Sequence, residues 1–236
     1  VGYLRLERAA HGVLGEGSVL INAGQHVADI SLHGSYHTES RHLDVTASFA
    51  DIAPATFSTL DAKFKALHAV NMPLSGKLII GLSLDNGIET IGFNIAGAEG
   101  ELNLPAPIAQ TMGVEAVSFR GIYNGRNETV TLDGAEVTFV PGATLTVPMP
   151  IDHAFAIRSM AGAGKFDAKA GKLEVAKLAM DLSGPSFEIS GTLDGIASGE
   201  DMILQASTVL TDVPVEQLSS YWPKKLGKDP YDWVIN

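Results

Sequence analysis

The chain has no cysteine, which excludes disulfide staples and thiolate chemistry. Cations are scarce: 16 Lys and Arg face 27 Asp and Glu, for a net charge of −11. Such a field repels phosphate backbones, so nucleic acid is excluded as a partner. It equally excludes adhesion to anionic headgroups through a basic patch. Aromatic residues make up only 7% of the chain, so its apolar surface is mainly aliphatic. No apolar run has the length of a membrane span, and no signal-peptide pattern is visible. The sequence opens on Val1 rather than Met and closes on "YDWVIN". It is therefore expected to be a section of a longer protein, with any anchor or targeting segment outside it.

What is present is 45% hydrophobic over 236 residues, enough for one large all-β domain or two modest ones. The hydrophobic residues alternate. Leu78, Ile80, Leu82 and Leu84 lie between polar or small neighbours, Asp85-Asn86-Gly87 interrupts, and Ile91, Phe93 and Ile95 resume. That pattern predicts a β-hairpin with one apolar face. Leu43, Val45, Ala47 and Phe49 repeat it upstream, after a polar tip at His37 to Arg41. Leu178, Met180, Leu182, Phe187 and Ile189 continue it downstream. Val130 and Leu132 are out of phase with Val137 and Phe139, so a turn or bulge is expected at Asp133-Gly134.

Two segments break the period. In "APATFSTLDAKFKALHAV", Phe57, Leu60, Phe64 and Leu67 take helical spacing behind Pro54, which predicts a short amphipathic helix. In "TDVPVEQLSSYWP", Asp212 can cap and Pro214 can open a second short helix that Pro223 stops. A loose repeat also runs through the chain. An apolar residue stands two before and two after Gly34, Gly76, Gly121 and Gly191, with a degenerate copy at Gly162. Glycine inside a strand marks a bend or bulge, and bends of one sense curl a sheet.

The order of these features resembles the AsmA-like superfamily of Gram-negative envelope proteins, and within it the large YhdP-type members. The carrying residues are Phe49, Asp51, Ile52 and Pro54, a short helix, then Pro73, Leu74, Gly76 and Leu78. "AGAEGELNLP" and the later Trp222-Pro223 and Trp233-Val234 pairs follow in the family's order. Tyr231 and Asp232 depart from it, standing where the family has Ala and Arg.

The resemblance implies a mainly β fold: an elongated, strongly curved antiparallel sheet forming an open apolar groove, with one or two short helices. It implies one section of such a groove: first strands over 1–52, a helical insert over 53–70, groove strands over 71–210, and a short helix with the Trp-Pro turn over 211–236. It implies non-enzymatic shielding of phospholipid or other acyl chains in the periplasm, within a protein anchored in the inner membrane. The partners implied are lipid, the rest of the same longer chain, and the membrane through segments beyond this one.

The residues expected to line the groove wall are Leu43, Val45, Phe49, Leu78, Ile80, Leu82, Leu84, Ile91, Phe93, Ile95, Leu178, Met180, Leu182, Phe187 and Ile189. An alternation of this kind equally suits a dry two-sheet sandwich, and edge pairing with outer-membrane protein strands is the alternative function. No cofactor, metal site or catalytic group is expected. His33, His37 and His42 gather near one hairpin end without a ligand motif, and no serine has a recognisable nucleophile context.

Overall fold

The computed structural model describes residues 2–23, 26–58, 61–106, 108–147, 153–196 and 203–216. Among the described residues there are sixteen strands. The first four are β1 (Gly2–Ala9), β2 (Gly12–Ala23), β3 (His26–His37) and β4 (His42–Ile52). The middle group is β5 (Val70–Asn71), β6 (Leu74–Ser83), β7 (Gly87–Gly97), β8 (Gly100–Asn103), β9 (Thr111–Asn124) and β10 (Thr129–Phe139). Then come β11 (Thr144–Val147), β12 (His153–Ala156), β13 (Ser159–Asp167), β14 (Lys172–Asp181), β15 (Ser186–Asp194) and β16 (Ile203–Thr211).

Fourteen of these form one antiparallel sheet that does not close into a barrel. β5 and β8 pair beside its main path, and β11 with β12 makes a separate two-stranded ribbon. The main path is therefore a twelve-strand meander from β1 to β16. Alternation accounts for its regularity, because a one-residue slip would turn every apolar side chain to the other face. Asp133-Gly134 is a bulge inside the single strand β10, where the register shifts against both β9 and β13. β2 starts six residues earlier than "SVLINA" indicates, because Gly15, Glu16 and Gly17 blur the alternation there.

The predicted amphipathic helix is absent as such. Its place holds two 3₁₀ segments, Pro54–Phe57 and Ala62–Ala69. The i→i+3 bonds Thr56 N–H to Ala53 O (3.1 Å) and Phe64 N–H to Asp61 O (3.0 Å) set the tighter winding. The Thr56 and Ser58 hydroxyls also donate to the carbonyls of Ala53 and Ala55, both at 2.7 Å. Such local side-chain bonds compete with regular α-helix. Phe64 is exposed, so no apolar stripe of an α-helix is buried there. The second predicted helix lies mostly beyond the described residues; 212–216 form a bend and a short turn.

The two ends of the strands differ. At one rim the connections are tight turns, and each turn is bonded to the next. Thr38 N–H donates to His11 O (3.1 Å), Leu84 N–H to Arg41 O (3.1 Å), Gly125 N–H to Glu89 O (2.8 Å) and Ala168 N–H to Glu128 O (3.0 Å). At the opposite rim three connections, from β4 to β6, β7 to β9 and β10 to β13, are long. With the sheet they build a tight core, in which Met72, Val114 and Ile157 are fully buried with Met112, Phe139 and Phe155 beside them. The β11–β12 ribbon forms part of the cover of this core. The Gln110 side chain ties it down by donating to Thr144 O (2.5 Å) and accepting from Thr146 N–H (2.9 Å).

Candidate functional site: an apolar sheet face

In an antiparallel sheet, directly paired residues point to the same face, so the register maps each face across the meander. One line of partners begins Leu4, Gly17, Leu32, Ala47, Leu78 and Phe93. It continues Gly121, Leu132, Gly164, Val175, Gly191 and Ala206. The neighbouring line begins Leu6, Gly15, Gly34, Val45, Ile80 and Ile91. It ends Tyr123, Val130, Phe166, Leu173, Leu193 and Leu204. Neither line contains a charged residue over all twelve strands. The interleaved lines on the other face carry Arg5, Glu16, His33, Lys165 and Glu174.

The apolar face is the concave one. A Cβ built on Gly76, Gly121, Gly164 or Gly191 would lie 2.2–2.6 Å from a carbonyl oxygen of the next strand. Real Cβ atoms do not approach backbone that closely, so only glycine fits at those positions; Gly12, on the charged face, is crowded likewise, with a Cβ 1.7 Å from Tyr36 O. At Gly92, on the opposite face, the nearest atom would be 3.8 Å away. Three of the five repeated glycines, Gly76, Gly121 and Gly191, therefore stand where neighbouring backbones converge. Gly34 and Gly162 are looser, at 3.3 and 3.4 Å.

The predicted wall residues fall into three groups. Leu43, Val45, Leu78, Ile80, Leu82, Ile91, Phe93, Leu178 and Ile189 stand half-buried on the concave face. Phe49, Ile95, Met180 and Phe187 share that face but pack against the covered core, and Leu182 belongs to the core itself. Leu84 lies in the β6–β7 turn and is 58% exposed. Alternation does not foretell the cover, whose Met72, Phe155 and Ile157 cluster with Met112 and Val114 of β9. The prolines at 141, 148 and 150 around β11 are the one signal that the chain leaves the meander there.

The tight-turn rim carries charges of alternating sign. Arg41 pairs with Asp85 (3.3 Å), Glu89 with Arg126, Glu128 with Lys169 (3.5 Å) and Lys172 with Asp194 (3.5 Å). Each pair joins one hairpin to the next. Exposed pairs contribute about 0–1 kcal/mol each, so their effect is on the order of the hairpins more than on total stability. His42 stands between Asp44 (3.1 Å) and Glu89 (3.3 Å). Among the described residues, no three His, Asp or Glu side chains converge as a metal site. The convex face has a hollow of about 570 Å³ over β1–β4, lined by Arg5, Glu7, Glu16, His33 and Asp44. Arg5 already pairs there with Glu7 (2.5 Å) and Glu16 (3.5 Å).

The Arg126 hydrogen bond, aided by the charges of Arg126 and His42, holds the Glu89 carboxyl below the usual carboxylate range against a smaller opposing effect of burial. A folded-state value below the unfolded one stabilises above the unfolded value and is lost as pH falls through the folded one. Arg126→Ala should therefore move the Glu89 titration up towards the ordinary range. The acid limb of an unfolding-midpoint-against-pH curve should be shallower in the variant, because the Glu89 contribution that the unaltered protein loses as pH falls is already absent. Coincident acid limbs would show that Arg126 does not hold Glu89. No described helix is long and apolar enough to cross a membrane. Comparison with protein-family models, with curated proteins and with solved structures gives no match to this chain.

Proposed function

We propose that this chain is a non-enzymatic lipid-transfer segment whose concave face shields phospholipid acyl chains between the inner and outer membranes of a Gram-negative envelope. One observation carries the reading: two adjacent lines of side chains cross twelve strands without a charge, on the concave side of the sheet. Water against such a face is unfavourable by roughly 25 cal/mol for each Å² of apolar surface. Contacts with an apolar wall are non-directional, so a chain can move over it without breaking hydrogen bonds. The order of motifs shared with YhdP-type proteins points the same way. A periplasmic setting within an inner-membrane-anchored protein follows from that resemblance.

The sheet edges favour a second reading, in which the chain assists outer-membrane protein assembly by pairing with client strands. β16 reads "ILQASTVLT", without a charge or proline to guard it. β1, by contrast, carries Arg5, Glu7 and Arg8.

Native mass spectrometry of the purified chain, followed by solvent extraction, separates the two. The transfer reading expects co-purified phospholipid and uptake of a pyrene-labelled phosphatidylcholine from vesicles. Protein that is lipid-free after purification and takes nothing from vesicles would overturn it and leave the edge reading.

A further inference from the structure

We infer that the concave face holds two separate acyl-chain sites rather than one uninterrupted track, an inference that rests on the lipid-transfer reading. Among the described residues two hollows open on this face. One, of about 190 Å³, lies over β1–β4 and is walled by Leu6, Leu32, Leu43 and Val45. The other, of about 380 Å³, lies over β10, β13 and β14 and is walled by Val130, Leu132, Phe166 and Leu173.

Both are floored by glycine. Gly15 and Gly34 are cross-strand partners under the first, and Gly162 and Gly164 lie under the second. No side-chain atom comes nearer than 3.7 Å to a Cβ built on Gly34, or 3.5 Å to one built on Gly162. Above Gly34 and Gly162 the nearest side chains stand only at ordinary van der Waals distance, while Leu6 Cδ2 comes to 3.1 Å at Gly15, on the wall of the first hollow.

The strands between the hollows are different. There the Phe93 ring lies over Gly121, its Cζ only 2.7 Å from where a Cβ would stand. Ile95 similarly crowds Gly76, at 3.1 Å. Ile91 and Tyr123 pair alongside. Side chains have taken up the glycine gaps and form a divider between the hollows.

The occupant is an unbranched alkyl chain. The floor is ladder backbone whose N–H and C=O groups already have partners, so a ligand needs no hydrogen bonds. A helix with its side chains is about 10–12 Å across, and a second sheet would stand about 10 Å away over the whole face. Neither enters hollows of this size, whereas a methylene chain lies flat in them and places its headgroup at the open lip.

The test uses lysophosphatidylcholine, which has one chain, below its micelle concentration, with bound molecules counted by native mass spectrometry. The unaltered protein should hold two. Gly162→Leu and Gly34→Leu should each hold one, with the remaining site's affinity unchanged within about twofold. Ala135→Leu, which fills the larger hollow from the strand facing Gly162 and leaves every glycine in place, should match Gly162→Leu, and far-ultraviolet circular dichroism checks that each variant is folded. One molecule bound to the unaltered protein, or variants that lose both or neither, would overturn the two-site inference while leaving lipid transfer standing. No binding to the unaltered protein would overturn both.

Discussion

Gly121→Val is expected to destabilise the protein by about 3 kcal/mol, the upper range for overpacking an interior site. The new Cβ would lie 2.3 Å from Thr131 O and 2.7 Å from Phe93 Cζ. Phe93 has room to turn, but the Thr131 carbonyl belongs to the strand ladder and cannot yield without breaking it. Valine's higher strand propensity opposes this by at most about 1 kcal/mol, so the clash wins. Gly92→Val, on the facing strand but the convex side, has 3.8 Å of clearance and should be neutral or stabilising. Urea unfolding of the two variants should therefore give shifts of opposite or plainly unequal size. Equal shifts would mean that the neighbouring backbone does not crowd Gly121.

The glycine spacing and the hairpin alternation were legible in the sequence because both depend on local rules. Period-two patterning assigns each residue to a face, and the turns at 38–41 and 84–86 follow from their polar and glycine content. The pairing of Leu78 with Phe93 and of Ile80 with Ile91 follows from one hairpin. What lies over a face is set by contacts between distant segments, and alternation is silent about those. Leu178 and Leu182 share a strand pattern, yet the first stands half-buried on the concave face and the second is buried in the core under the cover. Helical spacing in Phe57 to Leu67 misled for a related reason. Steps of three suit 3₁₀ winding as well as α, and the Thr56 and Ser58 side-chain bonds favour the tighter form at the first segment. The rim pairs were hidden because each joins residues in different hairpins, such as Glu89 and Arg126.

Leu78→Asp should separate a wall that meets lipid from a wall that meets protein. Leu78 stands on the concave face between its partners Ala47 and Phe93. If only solvent or lipid covers it, the carboxylate stays hydrated. The loss is then that of a half-buried leucine's contacts, about 1–2 kcal/mol. Beneath a second protein layer the same change would bury an unpaired charge and cost several kcal/mol more. Lipid uptake should respond more strongly than stability. An acyl chain lying across position 78 would forfeit contacts worth about 0.8 kcal/mol per methylene and would have to strip water from the carboxylate. Three or four methylenes already amount to roughly a 100-fold loss of affinity. Ile79→Asp supplies the control: the residue is adjacent, 53% exposed and on the convex face, and the change in composition is the same. Pyrene-phospholipid uptake should fall by about two orders of magnitude in Leu78→Asp and stay within about twofold in Ile79→Asp. If both variants carry lipid equally, the concave face is not where the chains lie, whatever the protein binds elsewhere.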